Sequence, residues 1–221
     1  MPRPQPRADA EPPARRFTAG EKRIVARLRT PLQVQRWLDR LPYNWERHGE
    51  TLRTFRGVVR RRRAHCLEAA LSAAAILERH GWPPLLLDIE SVDGLDHVLF
   101  LFRTEGGWGT VARSRDPGLH GRRPVFPSVA RLVESYRAPY IDRTGRIQAF
   151  GVLDLRGVKR DWRLAEGDVW WVERALIANA HTRSPTPYVF YRRWKRRYDR
   201  FKAENPRGRP VHFPGSRAWL T

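Results

Sequence analysis

Between residues 66 and 111 the hydrophobic pattern changes period, and that change restricts the folds open to this chain. From Cys66, apolar positions recur at Ala69, Ala70, Ala73, Ile76 and Leu77, the spacing of one helical face. Gly81 supplies a stop, reinforced by Pro83 and Pro84. Directly afterwards, "PLLLDIE" reads as a short, largely buried strand and "DGLD" as a turn. "HVLFLF" reads as a second strand with apolar residues on both faces, "TEGG" as a hairpin turn and "WGTVARS" as a third strand. A helix, an antiparallel meander and then further helices predict the α+β class.

The flanking segments fit around that centre. "EKRIVARLR" (residues 21–29) reads as a short helix. "TPLQVQRWLDRL" follows, with Thr30 as N-cap, Pro31 at the first helical position and Gln33 completing a capping box. "LPYNWERHGE" reads as a loop, and "TLRTFRGVVRRRR" fits neither period cleanly. Downstream, residues 117–127 read as a Gly/Pro loop and "SVARLVESY" as a helix capped by Ser128. "IQAFGVLDL" is a further strand, and "DVWWVERALIANA" a helix with Asp168 as its cap. In "TPYVFYRRWKRRYDRF", Tyr191, Trp194, Tyr198 and Phe201 share one helical face and leave the other basic. The expected organisation is a disordered tail over 1–17, a single domain over 18–204, and an extended tail over 205–221. No internal repeat is visible.

Composition narrows the function classes. Hydrophobic residues make up 41% of the 221, as in a soluble globular chain, and no apolar run reaches the ~18 residues of a membrane span. The N-terminus has no apolar h-region, so the cytosol is the expected compartment. The formal charge is +20, and all but four of the 43 basic residues are arginine. Arginines are spread over the whole chain rather than gathered in a stripe. That favours compositional bias and solubility over dedicated nucleic-acid binding. A single cysteine excludes an intrachain disulfide framework and any multi-cysteine zinc site.

That cysteine has the supports a nucleophile needs: a means to lower its pKa, a base within reach, and something to orient the base. Cys66 opens its helix, where unpaired backbone N–H groups and the positive end of the macrodipole favour a thiolate. His97 heads an apolar strand, a costly position unless its ring has partners. If the "TEGG" hairpin is tight, facing residue numbers sum to a constant that sets His97 opposite Ser114, and directly opposed residues share a face. Ser114 is then the better placed orienter by geometry, and Asp116 by chemistry, since a carboxylate stabilises an imidazolium. His65 is adjacent to Cys66 and would diverge from it if both were helical.

In order and spacing, "HCLEAALSAAAILERHG", "DHVLFLF" and "GGWGTVARS" resemble the core of the transglutaminase-like superfamily, which shares the papain-type arrangement. The pieces "LPYN", "TLR", "HCLEAA", "DHVL" and "WGTVARS" are also similar to a group of uncharacterised bacterial transglutaminase-like proteins. The resemblance covers roughly residues 40–155. It implies a Cys-bearing helix packed on an antiparallel sheet, Cys66 as nucleophile and His97 as base. The family's Asp falls near Arg113–Ser114, where this chain has no carboxylate. Asn44 is a candidate oxyanion donor, or else a loop-stabilising amide.

The function expected is a cysteine enzyme that cleaves or transfers an acyl group at an amide bond of a protein or peptide. No metal, no organic cofactor and no membrane partner is expected. Two other readings stand beside it: a catalytically silent interaction module, and a basic adaptor that binds nucleic acid through the last helix.

Overall fold

A computed structural model describes residues 17–208 and 219–220. The expectation for residues 1–16 and most of the C-terminal tail lies outside the described residues. Phe17, assigned above to the tail, is buried and meets Phe55 edge-on at 5.9 Å.

Helices α1 (Ala19–Arg27) and α2 (Pro31–Asp39) open the described chain, each behind a threonine capping box. In α2, Thr30 and Gln33 are the expected pair. The ambiguous arginine-rich segment forms α3 (Phe55–Arg61), capped by Thr54 and ended by Arg62 in the left-handed region at φ 53°. Helix α4 (Cys66–Leu77) follows, and Gly81 makes the left-handed stop at φ 84°.

The meander is β1 (Leu85–Ser91), β2 (His97–Thr104) and β3 (Gly107–Val111), continued by β4 (Arg122–Phe126). Next come α5 (Val129–Glu134), α6 (Arg137–Tyr140), β5 (Ile147–Asp154), α7 (Trp170–Ile177), β6 (His181–Arg183) and α8 (Tyr188–Glu204). The six strands form one antiparallel sheet in the order β4-β3-β2-β1-β5-β6. The α+β class therefore holds.

Both faces of the sheet are covered, which explains why β1 and β2 are apolar on both sides. Leu86, Val98, Phe100 and Phe102 pack with α2, α3, α4 and Trp162. Leu87, Leu99 and Leu101 pack on the other face with Leu132, Val133 and Tyr136. Alanines on α4 let it lie close against the sheet, and every residue from Leu67 to Leu77 is buried.

Two expectations need correction. Residues 117–127 are not all loop: β4 pairs with β3 despite Pro124, as an edge strand tolerates proline. Asp168 does not cap α7, whose N-cap is Val169. Its carboxylate instead accepts from Leu52 N at 2.8 Å and ties the distant loop down. Strand β6 is too short, at three residues, to leave a periodic signal. Within the described part of the C-terminal segment, Trp219 bridges to Arg122 and Leu220 is buried.

Candidate active site

Helix α4 begins at the cysteine itself. His65 is the N-cap, with extended backbone at φ −90° and ψ −174°, and Ala69 N makes the first helical bond back to His65 O. The N–H groups of Cys66 and Leu67 precede that bond, at the positive end of the helix. Because His65 is not helical, the divergence expected between adjacent helical residues does not apply. Its imidazole reaches the Cys66 sulfur, as does that of His97.

Two imidazoles thus flank one thiol. Withdrawal from water would raise the Cys66 pKa, but hydrogen bonds from His65 and His97, with the charge each ring can carry, outweigh it and hold the thiol well below its ordinary value. His65 shows the reciprocal effect. Burial would depress it, yet the Cys66 thiolate, the Glu68 carboxylate and the Thr51 carbonyl raise it to about 9. His65 Nε2 sits 2.8 Å from Thr51 O, leaving Nδ1 for the sulfur. Cys66 itself is only partly buried.

His97 is oriented by a main-chain carbonyl. Its Nε2 lies 2.7 Å from Leu119 O. A carbonyl only accepts, so Nε2 carries the hydrogen and Nδ1 is left to face Cys66. The expected hairpin register is present, pairing Phe100 with Val111 and Thr104 with Gly107. The ladder nonetheless ends at Val111 and does not reach Ser114. Gln35 of α2 takes both backbone groups of Ala112, each at 2.9 Å, and the chain turns away.

Neither Ser114 nor Asp116 is the hydrogen-bond partner of His97, although both border the same groove. They build the loop that supplies the partner. Ser114 Oγ accepts from Asp116 N at 3.2 Å, and Asp116 O accepts from Leu119 N at 3.0 Å. Arg122, buried beneath this loop, donates to Gly118 O at 2.6 Å and His120 O at 2.8 Å, the residues on either side of Leu119. Its guanidinium also stacks on Tyr136, 4.0 Å from the ring centre.

Asn44 is not an oxyanion donor in this arrangement. Its two amide hydrogens go to Thr51 Oγ1 at 2.8 Å and Glu68 Oε2 at 3.2 Å. Glu68, one turn into α4 and fully buried, also accepts from Thr51 Oγ1 at 2.9 Å, Arg53 N at 3.1 Å and His65 N at 3.1 Å. This one carboxylate pins the loop containing Thr51, and so the Thr51 carbonyl that orients His65.

A groove of about 740 Å³ opens over Cys66 and His97. Its far wall contains a pair that the residue pattern alone did not reveal. Asp88 on β1 lies beside Gly151 on β5, which lies beside His181 on β6. Gly151 has no side chain, and a Cβ there would come within 2.8 Å of His181 Nε2. The imidazole therefore crosses the glycine and reaches Asp88 Oδ2 at 3.2 Å. Asp88 Oδ1 is buried and has no partner.

Burial, together with the negative charge of Asp96, raises Asp88 to about 6. A carboxyl that ionises near 4 in the unfolded chain but only near 6 in the fold favours the fold at low pH. That advantage disappears as pH rises through 6, a difference of about 3 kcal/mol. Asp88→Asn is therefore expected to gain about 1–3 kcal/mol on the native chain at pH 8 and almost nothing at pH 4. Denaturant midpoints at the two pH values measure this, and an equal gap at both would contradict it.

No protein-family model matches the chain, and no curated protein matches it either. Among the described residues, no group of three or more His, Cys, Asp or Glu side chains is arranged to hold a metal, and no helix is long and apolar enough to cross a membrane.

Proposed function

We propose that the chain is a cysteine enzyme of transglutaminase-like, papain-type design, cleaving or transferring an acyl group at an amide bond of a peptide. The observation that carries this reading is a thiol at the first position of a helix, flanked by two imidazoles, one of them fixed from behind by the Leu119 carbonyl. A structural cysteine needs none of these.

In the proposed reaction the Cys66 thiolate attacks the amide carbonyl carbon. The developing oxyanion lies near the first N–H groups of α4. The His97 imidazolium passes its proton to the leaving nitrogen, the C–N bond breaks, and a thioester remains. A water molecule or an amine gives its proton to His97 and attacks the thioester, which releases the acid or a new amide and restores the thiol. The neutral Leu119 carbonyl stabilises the imidazolium less than a carboxylate would. His65 adds positive charge beside the sulfur from the opposite side.

The nucleic-acid reading draws less support. The aromatic stripe of α8 is half-buried, Tyr198 borders the groove, and Arg197 lies over Trp194 at 4.6 Å. The outer arginines remain a solvated basic face.

The test is chemical. Cys66 should be alkylated by iodoacetamide well below pH 8.5, the usual range for a free thiol. Peptidyl coumarylamides should leave an acyl group on Cys66, detected as a mass increase in acid-quenched protein and absent from Cys66→Ala. Ordinary thiol titration with no acyl adduct would sink the proposal.

A further inference from the structure

We infer that the groove beside Cys66 holds a cationic side chain of a peptide substrate, gripped by Asp88 with Asp96 beside it. The role of substrate rests on the acyl-transfer reading; the cation site itself rests on the geometry of this wall.

The charge distribution is the first observation. The chain carries a net +20, yet eight carboxylates border the groove against Arg115, Lys202 and His65, whose raised pKa of about 9 keeps it protonated at neutral pH. Arg115 is already engaged, 3.3 Å from Asp116 and 3.8 Å from Asp142. An excess of carboxylates around the groove attracts cations to it, against the basic character of the chain.

The second observation is independent of that count. Asp88 is 6% exposed and borders the groove, and its Oδ1 has no hydrogen-bond partner. It shares a sheet face with Leu86, which packs with α4, so it points to the side on which Cys66 lies. A buried carboxylate oxygen left unpaired is costly and calls for a donor. His181 approaches only the other oxygen. Asp96 adds charge but commits one oxygen, accepting from Ser91 N at 2.8 Å. Tyr140, whose hydroxyl donates to Leu95 O at 2.9 Å, borders the same groove as Cys66, Asp88 and Asp96.

The ligand chemistry follows. The guanidinium fork of an arginine carries five donors and can meet Asp88 Oδ1 and Asp96 at once. The ammonium of a lysine makes the same contact as a point charge. A neutral donor can reach Asp88 Oδ1 but brings no charge to offset the carboxylates, and an acidic side chain is repelled.

The test uses full-length Cys66→Ala protein and two fluorescein-labelled pentapeptides, Gly-Gly-Arg-Gly-Gly and its citrulline counterpart, which is uncharged and of similar shape. The arginine peptide should bind at least ~10-fold more tightly by anisotropy. Asp88→Asn, in the same Cys66→Ala background, should erase the difference without lowering thermal stability. Equal affinity for both peptides, no binding of either, or a preference that survives Asp88→Asn would each overturn the site. Cleavage of coumarylamides by the native chain separates the two claims. Arginine-selective binding without cleavage keeps the cation site and overturns only the acyl-transfer reading. Cleavage indifferent to arginine overturns the cation site alone.

Discussion

The double variant His65→Gln, His97→Gln is expected to lose about two orders of magnitude in its rate of iodoacetamide alkylation at pH 6. A thiol with an ordinary pKa near 8.5 is only about 0.3% thiolate at that pH. Cys66 escapes this because two imidazoles donate to it, and removing both returns the sulfur to an unassisted helix terminus. The single variants divide the effect differently. His65→Gln removes charge beside the sulfur but leaves His97 and its Leu119 anchor. Its loss should appear in the pH profile more than in acyl transfer. His97→Gln removes the group proposed to carry a proton to the leaving amine, and should cost acyl transfer about 10²–10⁴-fold. An unchanged rate at pH 6 in the double variant would mean that neither ring activates the thiol.

Glu68→Ala carries the largest expected loss of stability, about 3–5 kcal/mol. The Glu68 carboxylate is fully buried and accepts from the Asn44 amide, the Thr51 hydroxyl and the main-chain N–H groups of Arg53 and His65. The Arg53 guanidinium stands 3.6 Å away. Truncation leaves these donors buried and unmet. For a chain of this size that is a fall of roughly 10–15 °C in Tm. Glu68→Gln should recover little, because both carboxylate oxygens accept and an amide nitrogen at either place would face a donor. A loss below about 1 kcal/mol would show that water can replace the carboxylate. At temperatures where Glu68→Ala stays folded, its thiol should also titrate higher, since Thr51 no longer holds His65 in place.

What was legible in the sequence was local. The period change after Cys66, the Thr30–Gln33 capping box and the sum rule of the "TEGG" hairpin all depend on residues a few positions apart, and all three appear in the fold. The helical position of Cys66 and its neighbourhood with His97 follow from them. The failures came from contacts that span the chain. Gln35 ends the β3 ladder from 77 residues away, so a correct register did not bring Ser114 to His97. Asp168 reads as a cap but serves Leu52, 116 residues distant. The partner of His97 is a backbone carbonyl, which no side-chain pattern can announce. The rule for helical neighbours excludes His65 as a partner of Cys66, although the helix begins one residue later. Asp88 and His181 are 93 residues apart, and only the glycine between them makes the contact possible.

In the proposed reading, the sheet order separates two jobs that many enzymes mix. The proposed proton handling sits at the α4 terminus and the head of β2, while recognition of charge sits on β1, β5 and β6. The groups that hold His65 and His97, the Thr51 and Leu119 carbonyls, belong to neither β5 nor β6. Changes there could therefore retune which residue is accepted without disturbing the nucleophile. Such a layout gives protein engineers a wall to rewrite.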